Sequence, residues 1–157
     1  MCRITCHPGK LSARTIPASI WEGEVESSLV IWNATQHAAT ADQIEQGVVD
    51  LPVELRTQLA AALTFAELPT SEELRMRSIQ VVGLIMTAGA KPGDKVMIGG
   101  APFFMEELSH SVREMGMFPV FAFSRRESVE KQMPDGTVQK VAIFKHLGFV
   151  EPTAPQP

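Results

Sequence analysis

The chain reads as an α/β domain: an open, mostly parallel sheet in three layers, helices on both faces, and an antiparallel C-terminal hairpin. Three observations predict this class. Short continuous apolar runs, SLVIWN, KVMIGG and FPVFAF, suit strands buried on both faces. They alternate with segments whose apolar residues recur at helical spacing, the pattern of strand–helix–strand units. Near the end, two runs rich in Val, Ile and Phe flank Pro134, Asp135 and Gly136, the turn signal of a hairpin.

Residues 1–27 lack periodicity and contain Pro8, Gly9, Pro17 and Gly23, so they read as an irregular N-terminal arm. The domain spans 28–150. SLVIWN is its first strand, and NATQH follows as a polar loop. Thr40 with Gln43 forms a capping box for a short helix over ADQIEQGVV. Pro52 opens a second helix, with Leu55, Leu59 and Leu63 as its buried stripe. Thr70 with Glu73 opens a longer helix that Gly89 and Pro92 stop. KVMIGG is the next strand; Phe104, Leu108, Val112 and Met115 mark one face of the helix after it, closed by Gly116. FPVFAF is the last parallel strand. Residues 151–157, with three prolines, read as a disordered tail.

The hairpin turn sets a register. Pairing Met133 with Thr137 places Glu130 opposite Lys140, Val129 opposite Val141, Arg125 opposite Lys145 and Ser124 opposite His146. Like charges directly opposite destabilise a ladder, so Arg125 facing Lys145 implies an anion between them or side chains splayed into water.

Composition narrows the function. At 157 residues, 45% hydrophobic and 20% charged, the chain is ordinary globular material for one domain. A net charge of −4 argues against a sequence-blind binder of duplex DNA or RNA, which needs many Lys and Arg contacts, but allows a small anion held by a few cations. VVGLIM, the longest apolar run, is too short for a membrane span. With no charged-then-apolar leader, the expected location is the cytoplasm. Cys2, Cys6 and His7 lie close in sequence, but no second Cys/His cluster completes a zinc site, and no metal or cofactor is expected. The G-x-G-x-x-G, G-K-[ST], G-x-S-x-G and H-E-x-x-H patterns are all missing.

Ligands of open α/β sheets bind beyond the carboxyl ends of the strands. Three stretches meet that description: NATQH, GGAPF and SRRE. Asn33, Thr35, Gln36 and His37 offer amide, hydroxyl and imidazole groups to a base or ribose, or equally form an N-cap cluster. Gly99 and Gly100, ahead of Ala101 and Phe103, let a backbone approach an anion at a helix start, or allow tight helix-to-sheet packing. Ser124, Arg125, Arg126, Lys145 and His146 read as a phosphate site, or as a solvated hairpin whose cations pair with Glu127 and Glu130.

Taken with these residues, the polar loop carrying His37, GDKVMIGGAPFFM, and FSRRESVEKQMPDGTVQKVAIFKHLGFV resemble a small single-domain family associated with CRISPR loci. That resemblance implies a Rossmann-like, CARF-like fold and the activity of known or suspected ring nucleases, which bind and linearise cyclic oligoadenylate messengers. It implies a homodimer around a two-fold symmetric ring, and metal-independent attack of a ribose 2′-oxygen that leaves a 2′,3′-cyclic phosphate. Arg125, Arg126 and Lys145 would hold phosphates, with Arg126 and Lys145 at the reacting one. The Gly99 and Gly100 amides would hold another, and Asn33 and Gln36 would contact adenine or ribose. His37 or His146 would transfer the proton. A sponge or sensor that binds the ring without cutting it would use the same groups.

Overall fold

The computed structural model describes residues 30–153. The irregular arm expected over 1–27, with Cys2, Cys6 and His7, lies outside the described residues, as do the last four residues of the tail. The elements run β1 (Ile31–Ala34), α1 (Ala41–Glu45), β2 (Val48–Asp50), α2 (Val53–Leu63), α3 (Ser71–Ala88), β3 (Lys95–Ile98), α4 (Pro102–Glu114), β4 (Phe118–Gln132) and β5 (Val138–Val150).

Local chemistry explains most boundaries. The Thr40–Gln43 capping box forms in both directions, yet α1 is only five residues long. The helix expected over ADQIEQGVV stops at Glu45, and Val48–Asp50 forms β2 instead. At α3 the Thr70 hydroxyl accepts the Glu73 amide at 3.1 Å. That helix ends at Gly89, whose φ of +117° is a left-handed conformation costly for any residue with a Cβ. Pro102 opens α4 at its first turn, where a missing N–H costs nothing.

The five strands lie in the order β2-β1-β3-β4-β5. The sheet is mixed. The three parallel pairings cover three or four residues each, whereas β4 and β5 pair antiparallel over twelve rungs. Every hairpin pair expected from the turn is present: Ser124 opposite His146, Arg125 opposite Lys145, Val129 opposite Val141 and Glu130 opposite Lys140. The turn closes by Met133 N–H to the Thr137 carbonyl at 2.8 Å.

The layers differ from the expected helices on both faces. Leu59 and Leu63 of α2, Val81 and Ile85 of α3, and Phe104, Leu108 and Val112 of α4 all join one core with Ala34, Val96 and Ile98 of the sheet. Strand residues alternate between faces, so Ile31, Met97 and Val120 form a second, smaller cluster with Val48, beside Ala39 and Phe149. Short α1 touches both β2 and β5, the two ends of the strand order, so the sheet curls. Beyond the sheet body, the tail is tied to α4 where Arg113 donates to the Pro152 carbonyl at 3.0 Å.

Replacing Gly89 by Ala forces a Cβ into the left-handed region and is expected to lower stability by about 1–2 kcal/mol. Urea denaturation with an unchanged slope would check it; an unaltered midpoint would contradict the cap assignment.

Candidate functional site

β1 delivers its last residues into the loop 33–39, and one side chain builds that loop. Asn33, 4% exposed, donates its amide hydrogens to the His37 carbonyl at 2.8 Å and to Asp50 Oδ1 at 2.7 Å. Its oxygen accepts the Thr35 amide at 3.0 Å and lies 2.8 Å from the Thr35 hydroxyl. Both donors and both lone pairs are thereby used within the chain. Asp50 in turn accepts the Ala39 amide at 3.1 Å and faces Arg56 at 3.8 Å. Asn33 therefore shapes the loop, and its amide is not free to contact adenine or ribose as expected.

The remaining loop residues face outward. Gln36 is tied to the end of α2 through the Thr64 hydroxyl at 3.0 Å. His37 is exposed. Opposite stands the turn after β3, where Gly99 has Thr35 as its neighbour and Gly100 adopts φ +149°. Gly100 is at the edge of the range that favours glycine, and any Cβ there would approach Met105. Ala101 is the N-cap of α4 and has no side chain to satisfy the first-turn amides, whereas α1 and α3 are capped by Thr40 and Thr70.

These two loops enclose a cavity of about 410 Å³ at the carboxyl ends of β1 and β3, beside Phe121 and Ala122 of β4. Thr35, Gln36, His37, Gly99 and Gly100 line it, together with Thr40 and Gln43 of the α1 cap and Phe121 and Ala122 of β4. His37 is the sole titratable group among its described lining residues. A larger groove of about 610 Å³ adjoins it across Phe121 and takes Phe103, Met105 and Arg113. Phe103 belongs to that groove, packed edge-on to Phe65 with centroids 5.2 Å apart. We place the candidate site in the smaller cavity because polar groups of two strand-end loops meet there.

The third stretch does not join them. SRRE is not a loop but the middle of β4, and none of Ser124, Arg125, Arg126, Lys145 and His146 lines the cavity. The pleat also divides that set. Arg125 and Lys145 lie on one face of the β4–β5 ribbon, while Ser124, Arg126 and His146 lie on the other. Arg125 donates through Nε to Glu127 Oε1 at 3.2 Å. The Arg125 hydrogen bond, with the charges of Arg125 and Lys145, holds the Glu127 carboxyl below its ordinary value of 4.5. The anion implied by Arg125 facing Lys145 is thus supplied by the chain itself. His146 is 6% exposed, its ring 4.8 Å from Phe149, and neither ring nitrogen has a hydrogen-bond partner among the described residues.

Several contributors escaped the sequence reading. Asp50, Thr40, Gln43 and Thr64 shape or line the site, and only the capping box pointed to two of them. Among the described residues no group of three or more His, Cys, Asp and Glu could hold a metal ion, and no helix is long and apolar enough to cross a membrane.

Fold and cavity together define an α/β protein with a cavity at the strand ends whose described lining carries one titratable group, His37. Residues 29–150 match the family described as uncharacterized protein MJ1673 family, and the chain belongs to it. Searches of curated proteins and of solved structures found no match.

Two outcomes follow from this geometry. Asn33→Ala removes the hydrogen bonds to Asp50, the Thr35 amide and the His37 carbonyl and is expected to cost roughly 1–3 kcal/mol, read by denaturant unfolding. Glu127 is expected to titrate below 4.5 by carboxyl NMR, and Arg125→Ala to move it back up toward that value. Since its folded pKa is depressed, its stabilising contribution is present above about 4.5 and fades as pH falls through the folded value.

Proposed function

We propose that the protein binds a cyclic oligoadenylate in the cavity between the 33–39 loop and the Gly99–Gly100 turn and opens the ring without a metal. In this reading it acts in the cytoplasm to switch off CRISPR-type defence signalling. The observation that carries the proposal is the pairing of a polar loop with an uncapped helix start at the strand ends. The resemblance of the 33–37 loop, the Gly99–Gly100 segment and the hairpin to the ring-nuclease family supplies the substrate class. Thr35 and Gln36 contact base or ribose. The Gly99 and Gly100 amides, just ahead of the positive end of α4, meet a phosphate.

In the ring-opening step the ribose 2′-oxygen forms a bond to its neighbouring phosphorus, and the bond from phosphorus to the 5′-oxygen breaks. The 2′-hydroxyl proton passes to His37, and the departing 5′-oxygen takes a proton from water. His37 fits this role by its exposure at the cavity, whereas His146 is buried beside Phe149. Alignment of the 2′-oxygen and stabilisation of charge on the phosphate supply most of the acceleration in such chemistry. A two-fold assembly presents the same loops twice to a symmetric ring.

One observation favours a second reading. No cation lines the cavity among the described residues, so charge developing on phosphate rests on amides and hydroxyls, which suits a non-cleaving sponge or sensor. Incubation with cyclic tri-, tetra- and hexa-adenylate, with and without EDTA, followed by chromatography separates the two. Linear products that persist in EDTA support the nuclease, and tight binding with intact ring on release supports the sponge. His37→Ala is expected to reduce cleavage about 10²–10⁴-fold while retaining binding. If no ring raises the melting temperature, the proposal fails in both forms.

A further inference from the structure

The part of the hairpin beyond the bulge at Phe123 and Ser124 stands apart from the rest of the molecule. From Ser124 opposite His146 to Gln132 opposite Val138, nine residue pairs form a two-stranded ribbon. Apart from half-buried Glu127 and buried His146, every residue of these pairs is exposed. Such a ribbon is marginal at best when alone in water. One of its faces carries Val129, Val141 and Ile143 between Arg125, Lys131 and Lys145, and Ile143 is 41% exposed.

A second unpartnered surface lies on the helical layer. Met76, Ile79 and Met86 form an exposed stripe along α3, continued by Met115 after α4. Gly83 sits in its middle, costing the helix about 1 kcal/mol. A Cβ there would meet nothing within 4 Å, so no packing inside the chain requires the glycine. Beside it, Ile79, Met86 and Met115 line a depression of about 200 Å³. Glu107 and Glu114 stand at the rim, with Arg75 and His110 among them. Methionines suit a surface that must adapt to an incoming element.

We propose that the ribbon of one copy docks in the α3–α4 groove of a second copy, reciprocally, giving a closed two-fold dimer. Charge supports this occupant. Residues 124–146 carry five cations against three carboxylates, whereas residues 30–123 carry eleven carboxylates against six cations. Area supports reciprocity. Nine residues at about 3.4 Å each and two strands across offer on the order of 300 Å² per side. One contact then buries about 600 Å² in total, and two reach the roughly 1,200 Å² of a stable interface. Two complementary surfaces on one chain either close in this way or propagate into filaments. The inference does not depend on any ligand.

Light scattering after size exclusion, on the full chain without nucleotide, tests it. The wild type is expected as a dimer of the 17.2 kDa chain, weakened by raised salt. Ile143→Glu on the ribbon and Ile79→Glu on the groove are each expected to give a monomer with unchanged circular dichroism, both positions being exposed. A monomeric or polymeric wild type, or a dimer that survives either substitution, overturns the proposal.

Discussion

The Asn33 side chain is the contact on which the candidate site rests. It joins the end of β1 to Asp50 at the end of β2, and from the same amide it holds Thr35 and the His37 carbonyl. A buried primary amide has four hydrogen-bonding positions, and leaving any one empty costs more than a typical bond contributes. Here all four are filled, by Asp50, the His37 carbonyl and the amide and hydroxyl of Thr35. The loop therefore has one geometry, and the exposure of Gln36 and His37 follows from it. Asp50 completes the arrangement by also accepting Ala39, which fixes the entry to α1.

A different constraint governs the ribbon, namely the two-residue period of a strand. Neighbouring cations in sequence cannot share a face, so Arg125 and Arg126 diverge whatever the charge pattern favours. What the pleat does bring together is Arg125, Glu127 and Lys145, a carboxylate between two cations. Exposed pairs of this kind contribute little to stability. Their effect is to relieve a like-charge rung, which lets the ladder keep its register to the turn.

Legibility in the sequence divides along the same lines. The hairpin register could be read because a short turn determines every rung, a purely local matter. The strand-end loops could be read because glycine pairs and polar clusters stand out after apolar runs. β2 could not, since three residues following a capped helical turn carry no period of their own. Nor could the one-sided helical layer, because the apolar stripes of α2, α3 and α4 say that each helix buries a face but not on which side of the sheet. Asn33 looked like a ligand group because its partner Asp50 is 17 residues away. His146 looked like a surface base because the sequence does not reveal that Phe149 lies against it.

The helix starts point the same way as the loop. Threonines cap α1 and α3, but α4 begins at Ala101 and Pro102 beside the cavity. An alanine N-cap forgoes typically about 1 kcal/mol relative to Ser, Thr, Asp or Asn. Proline already removes one of the orphan donors, and the Phe104 amide donates to the Ala101 carbonyl at 2.9 Å, which leaves the Phe103 amide as the first-turn donor an anion would meet. A phosphate held at such a helix start would be held through geometry more than through net charge. Under the proposed function cations would be unnecessary for capture and decisive only for catalysis, so cutting rather than holding a ring would require charge that reaches this cavity from beyond its own lining.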